Sequence, residues 1–143
     1  MSDNDFPAPN EGFVLTHTVI VSDVKASCEW YKKMFDGKVV MEPSADGTPC
    51  IIKVANSWII LNFGGGEPTD DKPNTTVAVK QNHDILSAFL NVRVADLQGF
   101  YESRKERGAE FITEPKDHSA EFRCYMVDPD GYLIEVGEAK PRE

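Results

Sequence analysis

Several side chains in the C-terminal half of the chain are of types that can bind and activate a small organic molecule. Arg93 and Arg123 can orient an anionic or carbonyl group, because a guanidinium donates several hydrogen bonds in a fixed geometry. Tyr125 and Glu135 can serve as hydrogen-bond partners of that molecule or as an acid–base pair. Asn91 adds an amide close to Arg93. Polar groups of this kind amid apolar walls predict a small-molecule pocket.

Strand alternation decides which of these side chains can face a pocket. In the strand predicted at 121–127, Arg123 and Tyr125 lie on one face and the apolar residues lie on the other. The apolar face, which includes Cys124, is expected to pack in the core. In a competing interpretation, the arginines pair with Glu121 or Glu135 and only hold the sheet together. A buried pair of that kind is costly unless it is well satisfied, so the two interpretations are compatible.

The first half of the chain contains the signals for one helix among extended segments. β-Branched and apolar runs predict strands, and apolar residues at helical spacing after Asp23 predict a helix that ends at Gly37. The predicted elements are a strand at 13–21, the helix at 24–35, and strands at 38–41, 50–54 and 58–63.

The second half repeats this order of signals. A strand is predicted at 88–94 and a helix at 97–107, and strands follow at 110–113, 121–127 and 132–136. Val94-Ala-Asp-Leu97 at the second helix corresponds to Val21-Ser-Asp-Val24 at the first, which supports an internal repeat. The segment 64–86 contains three glycines and two prolines and is the predicted linker.

We therefore expect residues 1–143 to form a single domain of two modules, at about 13–63 and 87–137, each with the order βαβββ. Each module has too few strands to cover its own apolar faces, so we expect the two modules to share a core.

The paired βαβββ pattern, the Val-x-Asp entry to each helix and the ending DPDGYLIEVGE resemble the vicinal oxygen chelate superfamily. That superfamily includes glyoxalases, bleomycin-resistance proteins and extradiol dioxygenases. The resemblance covers residues 13–137 and implies an α+β fold, in which two βαβββ modules form an eight-stranded, cup-like mixed sheet with the helices outside. It also implies that a small-molecule ligand binds inside the cup, and that the protein is a homodimer.

The metal enzymes of that superfamily bind one divalent ion through His or Glu side chains on the first and last strands of both modules. Glu135 matches the last of these positions. Matching the repeats places Leu61 and Phe89 at two others, and neither side chain can bind a metal. His17 lies one residue closer to the Val-x-Asp signal than the family's ligand does, and alternation turns it toward the helix side. We expect no metal and no other cofactor; the alternative is a divalent metal held by His17 and Glu135, if a bulge turns His17 inward.

Alternation and the resemblance together place further side chains in the cup. Thr16 and Thr18 are expected to face it from the first strand, and Asn91 and Arg93 from the fifth. Leu61 and Phe89 are the expected apolar partners of the ligand.

Composition excludes several classes of function. The chain carries 15 Lys+Arg against 24 Asp+Glu, a formal net charge of −9, which disfavours nucleic-acid binding. No apolar run approaches the roughly 20 residues that span a bilayer, and the polar, acidic N-terminus does not resemble a signal peptide. The three cysteines are scattered and odd in number, which is typical of reduced thiols in a cytoplasmic protein.

The sequence thus predicts a cytoplasmic protein that binds a small, partly apolar, anionic or carbonyl-bearing molecule without the family's metal. Arg93 and Arg123 would orient the ligand, and Tyr125 and Glu135 would be its hydrogen-bond partners or catalytic pair. Two alternatives remain open: a metal-dependent lyase or dioxygenase that uses His17 and Glu135, and a non-catalytic resistance-type protein that sequesters its ligand. The identity of the ligand is not determined by these residues.

Overall fold

The structure, a computed structural model, describes residues 5–45, 48–64, 67–79 and 82–141 of the chain. It divides the chain into two compact units, Met1–Gln81 and Asn82–Glu143. The boundary between the units falls inside the predicted linker, 64–86. None of the helices in the described ranges is long and apolar enough to cross a membrane.

The apolar, β-branched segments of the first unit form a four-stranded mixed sheet with one helix. The elements are β1 (Thr16–Ile20), α1 (Val24–Phe35), β2 (Lys38–Met41), β3 (Cys50–Val54) and β4 (Ser57–Asn62). The strand order is β1-β4-β3-β2, with β1 parallel to β4 and the other neighbours antiparallel.

Helix α1 begins where the sequence predicted, because Asp23 caps it. The Asp23 carboxylate accepts a hydrogen bond from Ala26 N at 3.0 Å, which satisfies one of the free N–H groups of the first turn. One face of the helix, with Cys28, Tyr31 and Met34, is buried in the core. This helical spacing was the signal that predicted the element.

The second unit repeats this plan with one additional strand. Its elements are β5 (Leu90–Arg93), α2 (Leu97–Glu106), β6 (Glu110–Phe111), β7 (Lys116–Asp117), β8 (Glu121–Val127) and β9 (Leu133–Ala139). The strand order is β5-β9-β8-β6, with β5 parallel to β9, and β7 pairs with β8. Asp96 caps α2 through Gly99 N at 3.0 Å, and Leu97 N donates to the Glu138 carboxylate at 2.8 Å, which joins the helix to β9.

The α+β class and the repeated order of elements are confirmed, while several element bounds and the number of strands differ from the sequence prediction. The described residues form nine strands rather than eight, because the polar pair Lys116–Asp117 forms a strand that carries no hydrophobic signal. The first strand begins at Thr16 rather than at residue 13, and Leu15 is 82% exposed. The prediction that Cys124 packs in the core is confirmed, since it is 1% exposed.

A tight turn between β8 and β9 sets the register of these two strands. Asp128 is buried, and its Oδ1 accepts hydrogen bonds from Asp130 N and Tyr132 N, both at 2.9 Å. Gly131 adopts a φ of 82°, a left-handed conformation that favours glycine. The turn therefore fixes which residues of β8 and β9 lie side by side.

We expect Asp128→Ala to lower the free energy of unfolding by about 1–3 kcal/mol, because two backbone N–H groups lose their acceptor in a buried turn. Asp128→Asn keeps an acceptor oxygen and is the matched control, with a smaller loss. Urea unfolding of both variants measures the difference. Equal stability of Asp128→Ala and the wild type would show that these two hydrogen bonds do not hold the turn.

Candidate functional site

Three neighbouring strands of the second unit bring Asn91, Tyr125 and Glu135 side by side. Asn91 of β5 and Tyr125 of β8 lie opposite Glu135 of β9, on either side of it. Tyr125 OH donates a hydrogen bond to Glu135 Oε1 at 2.7 Å, and Asn91 Nδ2 donates to Glu135 Oε2. Glu135 is only 7% exposed, so these donors replace the water that a carboxylate would otherwise bind.

The next row on the same side of the sheet is Arg93, Gly137 and Arg123. The Arg93 guanidinium lies over Gly137, because a Cβ built on that glycine would collide with Arg93 Nη1. Arg93 Nη1 is also 3.9 Å from Glu135 Oε2, which links the two rows. We call this side of the sheet the arginine face; its polar residues are Asn91, Arg93, Glu121, Arg123, Tyr125 and Glu135.

Both arginines share one carboxylate. Arg93 Nη2 is 3.0 Å from Glu121 Oε1, and Arg123 Nη1 is 3.5 Å from Glu121 Oε2. The hydrogen bond from Arg93, together with the charges of both guanidinium groups, holds the pKa of Glu121 below its ordinary value. Glu121 is therefore ionised at neutral pH and stays a counter-ion to both arginines.

Arg123 has unused donor capacity in this arrangement. Its Nη2 lies 3.3 Å from His118 Nδ1, and its Nη1 contacts Glu121. Arg123 Nε is buried but has no hydrogen-bond partner among the described residues. A buried donor without an acceptor is unfavourable by about 1–3 kcal/mol, so Nε does not help to hold Arg123 in this position. The Arg123 side chain as a whole is 35% exposed.

Tyr125 is held in its neutral form. Its hydrogen bond to Glu135, its partial burial and the negative charge of Glu135 all raise the pKa of the phenol, and the charge of Arg123 opposes them. The Phe89 ring packs edge-on to the Tyr125 ring, with 6.3 Å between centroids, and is partly exposed. The predicted site residues of the second unit are thus close together and combine donors with an aromatic surface.

The residues around Glu135 do not fit a divalent metal ion. Both carboxylate oxygens already accept hydrogen bonds, and the nearby Arg93 guanidinium would repel a cation. Within the ranges that the structure describes, no three His, Cys, Asp or Glu side chains are grouped so that they could hold a metal.

The internal repeat places apolar and hydroxyl side chains at the matching positions of the first unit. Val21 N donates to Asn62 O at 2.8 Å, and Val94 N donates to Gly137 O at 2.9 Å, so these pairs are equivalent. Counting back along the paired strands makes Thr18 and Ile60 the counterparts of Asn91 and Glu135. The sequence prediction had placed Leu61 there, one residue too far along β4.

Leu61 is therefore on the opposite side of the sheet from Ile60, and not on the side that was predicted to line the pocket. It is fully buried opposite Cys50, whose thiol contacts Cys28 of α1, so its side chain faces the helix. His17, opposite Ile59 on the outermost strand β1, is on this same side of the sheet and is exposed.

Thr16 and Thr18 alternate with His17 along β1 and lie on the opposite side of the sheet, Thr16 partly buried and Thr18 exposed. Their predicted contact with a ligand stays a prediction.

The sequence analysis did not identify two residues that contribute to the arginine face. Gly137 gives the space in which Arg93 lies, and the strand register alone would have placed it between the two arginines. His118 contacts Arg123 through a chain reversal near β7. A short polar strand gives no pattern from which that contact could have been found.

Comparison with known families identifies the chain. A model of the Glyoxalase/Bleomycin resistance protein/Dioxygenase superfamily matches residues 14–136. None of the curated proteins compared with the chain matches it.

Solved structures with the same fold include proteins associated with antibiotics. An antibiotic binding protein, TnmS3 from Streptomyces sp. CB03234, is 18% identical, covers 93% of this chain and 100% of its own, and has a TM-score of 0.66. The fosfomycin resistance protein FosX from Listeria monocytogenes is 15% identical, with coverages of 91% and 95% and a TM-score of 0.65. A domain of the same superfamily from Frankia sp. EAN1pec is 16% identical, with coverages of 94% and 96% and a TM-score of 0.69. At these identities the likeness shows the fold alone.

We expect Glu135→Gln to lower the pKa of Tyr125 toward its ordinary value, because the carboxylate that stabilises the neutral phenol is lost. An alkaline titration of tyrosinate absorbance measures this, and Tyr125→Phe identifies the contribution of Tyr125.

The raised pKa of Tyr125 also means that the folded state keeps the phenol proton at a pH at which the unfolded state has lost it. The free energy of unfolding should therefore fall as the pH rises above about 10, and fall less in Tyr125→Phe. Identical alkaline titrations of the wild type and Glu135→Gln would show that Glu135 does not raise the pKa of Tyr125.

Proposed function

The chain belongs to the glyoxalase/bleomycin resistance protein/dioxygenase superfamily, and on that premise we propose that it binds a small, partly apolar molecule through an anionic or carbonyl group. The ligand would lie on the arginine face of the second unit. Arg93 and Arg123 would hold its oxygen atoms, and Phe89 would contact its apolar part. Asn91 would donate to it through its second amide N–H, and Tyr125, whose O–H is donated to Glu135, would be a hydrogen-bond partner through its oxygen.

The two guanidinium groups on either side of Gly137 are the observation that carries this proposal. The side chains of Arg93 and Arg123 are 45% and 35% exposed although both contact Glu121, so both remain accessible to a ligand. The arginine face carries two positive and two negative side chains, so the direction of its donors, rather than net charge, would select the ligand.

Similar proteins support a small-molecule ligand as the class. One solved structure of the same fold is described as an antibiotic binding protein and another as a fosfomycin resistance protein. The same face would therefore also serve a resistance-type function, in which the protein sequesters its ligand without changing it.

A catalytic role is the second candidate, and the 2.7 Å hydrogen bond from Tyr125 to Glu135 favours it. Glu135 can accept a proton, and Tyr125, kept neutral by Glu135, can donate one to a ligand oxygen. This pair would support a lyase or isomerase step on a carbonyl-bearing ligand. Nuclear magnetic resonance of a ligand before and after incubation separates binding from turnover, and Glu135→Gln should abolish turnover alone.

We propose that this site works without the family's metal, because both Glu135 oxygens already accept a hydrogen bond and the Arg93 guanidinium would repel a cation. The predicted homodimer and cytoplasmic location stay predictions.

Elemental analysis of protein purified without chelators tests the metal-free proposal. We expect much less than one Ni, Zn, Mn or Fe per chain, with the same value in His17→Ala and Glu135→Ala. About one ion per chain, lost in both variants, would instead support the metal-dependent lyase or dioxygenase.

Calorimetric titration with phenylglyoxylate, which joins an aromatic ring to a keto group and a carboxylate, tests the ligand class. We expect Arg93→Gln and Arg123→Gln each to weaken binding about tenfold, because each loses a charge-assisted hydrogen bond. Gly137→Ala should also weaken it, since its methyl group displaces the Arg93 guanidinium while keeping the charge.

Arg107→Gln is the matched control for this titration, because Arg107 caps α2 and is not one of the arginine-face residues. Its affinity should equal that of the wild type. Benzyl alcohol, which lacks both oxygen groups that the arginines would hold, should bind more weakly than phenylglyoxylate. Undiminished affinity in both Arg93→Gln and Arg123→Gln would refute the assignment of the arginine face.

A further inference from the structure

Two cysteines of the first unit lie in direct contact inside the core. Cys28 of α1 and Cys50 of β3 are free thiols, with 2.7 Å between their sulfur atoms. They are 22 residues apart in the sequence, so only the packing of α1 on the sheet brings them together. The third cysteine, Cys124, belongs to β8 of the second unit and is also buried and free.

A cleft of about 830 Å³ adjoins one of the two cysteines, Cys28, of which only 2% is exposed. It lies in the first unit between the start of α1 and the segment that follows β2, and Cys28 is among its lining residues, together with Glu29, Glu42 and Ser44. Cys50 is not among them and lies behind Cys28, where it is fully buried. A peroxide is small enough to enter a cleft of this size.

We propose that Cys28 and Cys50 form a redox-responsive pair, which a small peroxide oxidises to an intramolecular disulfide. Cys28 is the attacking thiol because it lines the cleft, and Cys50 is the resolving thiol because it contacts Cys28 from the interior. This modification site lies in the first unit and is independent of the ligand proposed for the arginine face.

The reaction balances with hydrogen peroxide as the oxidant. The Cys28 sulfur attacks one peroxide oxygen, the O–O bond breaks, and Cys28 becomes a sulfenic acid while water leaves. The Cys50 sulfur then attacks the Cys28 sulfur, the S–O bond breaks, and the hydroxyl leaves as water with the Cys50 proton. The two thiols lose two electrons and two hydrogens in total, and one peroxide is reduced to two waters.

The surroundings of both thiols favour the protonated form. Burial raises the pKa of both thiols, and the negative charges of Glu42 and Glu29 raise them further. Lys32 acts on Cys28 in the opposite direction. The β4 residue opposite Cys50 is Leu61, which does not ionise.

The raised pKa values of the two thiols predict a slow reaction at neutral pH that becomes faster at alkaline pH. The thiolate is the reactive form, and its fraction rises about tenfold per pH unit below the pKa. The pair would therefore respond to sustained peroxide rather than act as a fast peroxidase. Once formed, the bond would join α1 covalently to β3 and should raise the melting temperature of the protein, because it constrains the unfolded chain.

Counting thiols on the folded full-length protein tests the proposal. After incubation with hydrogen peroxide and removal of the excess, we expect the three thiols titrated in denaturant to fall to one. The intact mass should fall by two hydrogens, and peptide mapping should recover a peptide that links Cys28 to Cys50. The melting temperature should rise, and a reductant should restore it.

Matched variants separate this pair from general oxidation. Cys124→Ser should form the same bond and fall from two thiols to none. Cys28→Ser and Cys50→Ser should each remain free of an intramolecular disulfide. Oxidation of the unfolded wild-type chain is the control for disulfides that form without the folded structure. Three remaining thiols, a link to Cys124, a link between chains, or oxidation to sulfinic acid without a disulfide would each overturn the proposal.

Discussion

The buried carboxylate of Glu135 is the constraint on which the arginine face depends. An ionised carboxylate withdrawn from water needs donors, and the two strands beside β9 supply them through Tyr125 and Asn91. That requirement fixes the orientation of both side chains and raises the pKa of Tyr125. The β8–β9 turn, held by Asp128, keeps Tyr125 opposite Glu135, so a structural feature of the loop determines the chemistry of the sheet.

Charge on this face is balanced, although the chain as a whole is strongly acidic. Arg93 and Arg123 share Glu121 and lie in the row next to Glu135, so their positive charges have carboxylate partners and the face has no local excess of positive charge. The proposed ligand would be selected by the geometry of its oxygens more than by long-range attraction. The superfamily's divalent ion would need the same carboxylate oxygens that Tyr125 and Asn91 already occupy, and would face Arg93 besides.

The two halves of the repeat share their order of elements but not their chemistry. Where the second unit has Asn91 and Glu135, the first has Thr18 and Ile60, so the hydrogen-bonded carboxylate has no counterpart there. The first unit instead has two thiols in contact beneath α1, next to a cleft that the helix start and the segment after β2 line. One repeated scaffold thus carries a hydrogen-bonded carboxylate on the sheet of one unit and two adjacent thiols under the helix of the other.

The sequence by itself determined the α+β class, both helices with their aspartate caps, and the two faces of β8, because these depend on local periodicity and capping. Residue type and strand alternation also identified the candidate site residues Arg93, Arg123, Tyr125 and Glu135. Only the tertiary structure decided the pairing register, which corrected Leu61 to Ile60 as the counterpart of Glu135. The contact of Cys28 with Cys50, the place of Arg93 over Gly137 and the shared role of Glu121 also required it. These contacts join residues distant in sequence, and no local pattern encodes a distance between two elements.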